Sequence, residues 1–108
     1  MVTISAARKI LLELPDTEEG AHMGHPDFRV GNRVFASLWP KKKKIAVVKL
    51  SIANQTALLQ MDPDAFSLNG WSRQGWTNVH LDNVTPTRFR TLAKESWTAV
   101  ASAQKRAS

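Results

Sequence analysis

The chain has 108 residues, 43% of them hydrophobic, a formal net charge of +6 and no cysteine. That length holds one core and not two. The missing thiols exclude disulfides, thiolate nucleophiles and thiolate metal sites, and no apolar run approaches the roughly 20 residues of a membrane-spanning helix. Arg8, Lys9 and Glu13 interrupt the first apolar pattern, which argues against a signal peptide. A single domain over residues 1–108, in a reducing cytoplasm and without a membrane partner, is the expectation.

Thr3 is placed to cap a helix running through Leu14, with Ile4, Ala7, Leu11 and Leu14 on one face. Pro15 stops it, because the residue before a proline avoids the helical region. Residues 16–24 are too polar and glycine-punctuated for a helix, although residues 21–23 suit a short strand. Residues 28–30, a Gly31-Asn32 turn and residues 33–39 read as a hairpin, since glycine supplies the positive φ that two-residue hairpin turns require. Pro40 and the four lysines 41–44 form the next turn, leading into the β-branched run 45–50. Ser51 caps a helix over 52–61, with Ile52, Leu59 and Leu58 assigned inward, and Asp62-Pro63-Asp64 ends it. A weak strand at 65–68, a loop at 69–74 and a firm strand at 76–81 follow. Thr85-Pro86 marks a helix start, with Phe89, Leu92, Ala93, Trp97 and Val100 on its buried stripe. Residues 101–108 are expected to fray.

Strands clustered together with helices on one face give an α+β domain: three helices and an antiparallel sheet of about five or six strands. The charge is uneven along it. Residues 1–27 carry five acids and two bases, whereas residues 28–61 carry seven bases and no acid. Such a sided distribution attracts polyanions, while the bland alternative is a solvated surface that maintains solubility.

Lys41, Lys42, Lys43 and Lys44 repel one another and must stay in water. They can grip phosphates or blunt a strand edge against aggregation. In the strand at 76–81, alternation puts Thr77, Val79 and Leu81 on one face and Trp76, Asn78 and His80 on the other. Trp97 belongs to the helical core stripe. Trp71 stands in a polar loop beside Arg73. Arg33, Arg73, Trp71, Trp76 and the four lysines, with Trp39 at the base of the lysine turn, form the candidate binding surface, in which cations meet phosphates and indoles stack on bases. Arg88, Arg90 and Lys94 either extend this track or form a solvated helix face. Glu18, Glu19, His22 and His25 have metal-ligand chemistry but cross a glycine-punctuated turn, so neither a metal nor a cofactor is assigned. No nucleophile motif, phosphate loop or zinc signature is present, and nothing points to an enzyme.

Three segments carry a resemblance: Pro15-Asp16-Thr17-Glu18-Glu19-Gly20, Gly24-His25-Pro26-Asp27-Phe28 and Gly75-Trp76-Thr77-Asn78-Val79-His80-Leu81-Asp82. In this wording the chain resembles the MmcQ/YjbR family over nearly its whole length. The resemblance implies a small α+β domain of double-wing type, with DNA as partner and wing-like strands as the contacting elements. The function expected is therefore a non-enzymatic, monomeric DNA-binding protein using the lysine hairpin and nearby aromatics. The rival is a protein- or small-ligand-binding domain with a pocket around Trp71, Trp76 and His80, in which the basic turn is incidental. Helix-turn-helix recognition is disfavoured, because no two helices are joined by a short turn.

Overall fold

The computed structural model describes residues 1–22, 24–41 and 44–107, without the side chains of His22 and residues 104–107. Helix α1 spans Ile4–Leu12, and the Thr3 hydroxyl accepts the Ala6 N–H at 3.0 Å, which satisfies one of the free donors of the first turn. Strands β1 (Thr17–His22), β2 (His25–Val30), β3 (Arg33–Trp39) and β4 (Ile45–Lys49) follow. Helix α2 covers Ile52–Met61, with Ser51 bonded to the Asn54 N–H. Then come β5 (Phe66–Ser67), β6 (Trp76–His80) and α3 (Pro86–Ala107).

The six strands form one antiparallel sheet in the order β1-β2-β3-β4-β6-β5. One face packs on α1 and α3. All four phenylalanines (Phe28, Phe35, Phe66 and Phe89) are fully buried in that core, with Leu11, Leu38, Val48, Val79 and Leu81 around them. No helix among the described residues packs on the other face of the sheet. Among the described residues no helix is long and apolar enough to cross a membrane.

The Gly31-Asn32 turn has the expected positive φ at the glycine, 56°, and a positive φ at Asn32 as well, 66°. Between Phe28 and Arg29 the β2–β3 register slips by one: Phe28 opposes Ala36, but Arg29 opposes Val34. Phe35 is the extra residue of this β-bulge, which explains two adjacent buried positions in β3. On the β4 side, the ladder ends at Ala36 and Val48, so the next pair, Phe35 and Lys49, is not joined directly. The Ser96 hydroxyl fills that gap. It accepts the Lys49 N–H at 2.8 Å and donates to the Phe35 carbonyl at 2.5 Å.

Four expectations need correction. The strand foreseen at 21–23 begins at Thr17 and ends at His22, while Met23 lies outside the described residues. It is an outer strand, and Glu19 on its helix side is bonded to Arg8, so its polar sequence hid it. Ile52 is 50% exposed rather than inward; the buried residue of α2 is Gln55, whose Nε2 donates to Thr77 Oγ1 (2.9 Å) and the Ser72 carbonyl (3.2 Å). Trp97 is half-buried at the core margin, its indole N–H donating to the Pro15 carbonyl at 2.9 Å. Residues 101–107 are not separate from the last helix: α3 continues to Ala107, in keeping with its helix-favouring alanines, glutamine and lysine and with Ala101 resting on the core.

Candidate functional site

Strand register arranges the open face in rows. His25 stacks on Trp39, ring centroids 3.5 Å apart, and Trp39 pairs across with Ile45 and Ile45 with His80. The next row is Asp27, Ser37, Val47, Asn78 and Ser67. Arg29 opposes Val34 in the third, and Lys49 opposes Trp76, with its ammonium 5.7 Å from that ring's centroid. Rows lie two residues apart along each strand, about 7 Å. Trp39, Trp71 and Trp76 all line one concavity of about 600 Å³ whose floor includes Val34, Ile45 and Val47. The phenylalanines thus build the core, and three of the four tryptophans are placed on the face opposite it.

The concavity has a fixed polar wall. Asp27, only 3% exposed, holds Arg29 in a two-point ion pair with both N···O distances 3.1 Å. The hydrogen bond that Arg29 donates to Asp27, followed by the carboxylate's charge, raises the Arg29 pKa above its ordinary value. A raised basic pKa contributes stability that is lost only as pH climbs through it, so Arg29 adds no transition at ordinary pH. Gly20 lies directly across from Asp27, where a Cβ would meet the carboxylate at 2.8 Å. The glycine is what lets the buried carboxylate turn toward Arg29.

Trp71 is 65% exposed and lies on the loop before the 3-10 turn Ser72–Gln74. Its loop is nevertheless held. Asn69 Oδ1 accepts the Trp71 backbone N–H at 2.8 Å, and Asn69 Nδ2 donates to Asn78 Oδ1 at 2.9 Å. The two amides therefore fix the backbone that carries the indole. His80 turns away from this wall to share a 2.8 Å hydrogen bond with Ser67.

The structure gathers the sequence candidates only partly. Trp71 and Trp76 meet on the concavity with Trp39. Lys41 and Lys44 are exposed at the β3–β4 turn, at the His25–Trp39 end of the face, and Lys44 is 3.8 Å from Asp82. Lys42 and Lys43 lie outside the described residues. Arg33 is exposed at the far end of β3, and alternation from Val34 turns it to the helix side. Arg73 is exposed on the 3-10 turn near Trp76, at the opposite end from the lysines. Arg88 is bonded to Asp62 at 2.8 Å and sits over Phe66, and Arg90 is 3.8 Å from Glu13; both belong to the helix side. Among the described residues no three His, Asp or Glu side chains are grouped to hold a metal.

The Asp27–Arg29 pair and the His25–Trp39 stack escaped the sequence reading. The available signal was alternation: His25, Asp27 and Arg29 share a face once β2 begins at His25 rather than Phe28.

Among solved structures, the crystal structure of Deinococcus radiodurans protein DR2400, carrying the domain DUF419, is similar in fold with a TM-score of 0.82 at 22% identity, covering 93% of this chain and 79% of that one. No curated protein matches. The family model described as YjbR matches residues 12–99, and the chain belongs to that family.

Proposed function

We propose that this chain is a non-enzymatic nucleic-acid-binding protein, with DNA the first ligand to test. It would act as a monomer through the open sheet face and the basic β3–β4 hairpin, which serves as a wing. The observation that supports this reading is the placement of Trp39 on the open face at the base of that hairpin, with Trp71 and Trp76 on the same concavity. Cations engage phosphates and release counterions, whereas indoles stack on bases without demanding a sequence. Backbone contacts alone position a ligand but carry little base information.

The test is anisotropy titration of labelled DNA at several salt concentrations. Replacing Lys41, Lys42, Lys43 and Lys44 with alanine is expected to weaken binding and flatten the log K against log salt slope, by about 0.7 for each lysine meeting a single-strand phosphate. Equal binding by variant and parent, or none by either, refutes it. A second reading, a small-molecule site, is favoured by the size of the concavity, about 600 Å³, within the usual range for ligand pockets. It predicts saturable binding of a planar metabolite with little salt dependence.

A further inference from the structure

The polarity of the concavity restricts what enters it. Its floor includes Val34, Ile45 and Val47, and its charged wall is an electrically neutral pair, Asp27 with Arg29. A phosphate placed there would lose water and gain only a cation already neutralised by a buried carboxylate, which is unfavourable. Further cations stand outside that pair: Lys49 beside Trp76, and exposed Lys41 at the hairpin, where Lys44 already lies 3.8 Å from Asp82. The arrangement suits a ligand that is neutral and planar at one end and anionic at the other.

The walls specify the planar end. Trp39, stiffened by the His25 stack and by its N–H bond to Ser37 Oγ (2.9 Å), presents a fixed ring. Trp71 offers an exposed one, on backbone that Asn69 holds. Arg29 spends its Nε and one Nη2 hydrogen on Asp27, so its Nη1–Nη2 edge carries the donors directed away from the carboxylate. Ring carbonyls and ring nitrogens of a base are acceptors suited to such an edge. In a duplex the faces of the bases are covered by their neighbours, and only unpaired bases can be splayed onto aromatic side chains.

We propose that the concavity takes one unpaired base of a single-stranded nucleic acid, stacked on Trp71 and the Trp39 wall, with the sugar-phosphate outside at the lysine rim. This rests on the nucleic-acid reading above and narrows it to single strands.

The test is an anisotropy titration of the full chain with a labelled oligothymidine strand, the same strand with internal abasic sites, its duplex with oligodeoxyadenosine, and thymidine monophosphate as competitor. The intact strand should bind about tenfold more tightly than the abasic strand, and Trp71→Ala should lose about tenfold on the intact strand only. Trp71→Phe should recover most of that loss, and the salt slope of Trp71→Ala should match the parent's. Because Trp71 is exposed, these variants keep the fold. Equal affinity for intact and abasic strands, an unaffected Trp71→Ala variant, or a duplex bound as tightly as the single strand overturns the base site and leaves the electrostatic reading standing. Thymidine monophosphate binding as tightly as the strand overturns it in favour of a free nucleotide. Binding to no nucleic acid overturns both readings.

Discussion

Gly75 is the position where one added methyl group should do most harm. Its φ is +98°, and a Cβ there would lie 2.2 Å from the Leu50 carbonyl oxygen, where ordinary contact begins near 3.4 Å. More than 1 Å must open against backbone, not against the end of a flexible side chain. The same two residues are joined by the Leu50 N–H to Gly75 carbonyl bond at 2.9 Å, so relieving the clash strains that bond. A left-handed conformation costs a residue with a Cβ about 1–2 kcal/mol. Losing the strand-end hydrogen bond adds about 1 kcal/mol, and residual strain brings Gly75→Ala to about 3–4 kcal/mol. Against a total stability of about 5–15 kcal/mol that is a large fraction. In urea, with a slope near 1.5 kcal/mol/M, the unfolding midpoint should fall by about 2 M. A fall below about 0.5 M would mean that the turn relaxes freely and that this steric account is wrong.

Ser96→Ala leaves the Lys49 N–H and the Phe35 carbonyl without the hydroxyl that joins them. It should cost about 2 kcal/mol by urea unfolding, whereas a neutral substitution would mean that the strands close the gap themselves. Gln55→Leu keeps the volume of the buried side chain but removes the donor serving Thr77 Oγ1 and the Ser72 carbonyl; a loss of about 1–2 kcal/mol is expected, and a gain in stability would contradict it. Gly20→Ala pushes on the Asp27 carboxylate and should cost about 1–2 kcal/mol while shifting the Arg29 Nε–H resonance; an unmoved resonance would show that the pair tolerates the methyl group. Asn69→Ala should leave the unfolding midpoint nearly unchanged but accelerate amide exchange at Trp71, whose N–H it releases; an unchanged exchange rate would remove Asn69 from the positioning of the indole.

The parts of the fold legible in advance were those governed by local chemistry. Thr3 and Ser51 have side chains that accept a helix's free N–H groups, and both cap their helices. Gly31 supplies the positive φ that such a turn requires, and the hairpin turns there. Pro86 opens α3 after a threonine whose hydroxyl accepts the Arg88 N–H. What stayed hidden depends on partners outside the segment itself. The polar run Thr17–His22 becomes a strand because β2 pairs with its whole length. Gln55 is inward because three acceptors await it on the segment Ser72–Thr77. The site divided along the same line. Trp76 and Asn78 could be placed by alternation within one strand, whereas the grouping of Arg29 with Trp39 required the register of two strands and a bulge that no local signal announced.

That bulge ties the stability of the sheet to the shape of the site. An extra residue in β3 bends the strand and increases its local twist. Phe35, as the extra residue, goes into the core instead of interrupting the open face, and Val34 and Ser37 remain on the concave side beside Arg29 and Asp27. The cost of the bend falls on the β3–β4 ladder, which loses its Phe35–Lys49 pairing, and the Ser96 hydroxyl from α3 restores both hydrogen bonds from the core side. The concavity on one face and the buried serine on the other are thus two consequences of one inserted residue. Deleting the bulge to straighten the ladder would make Ser96 dispensable and flatten the floor beneath Trp39 and Trp76. A variant that gained stability in this way while keeping its affinity for a planar ligand would show that curvature is not what the indoles need.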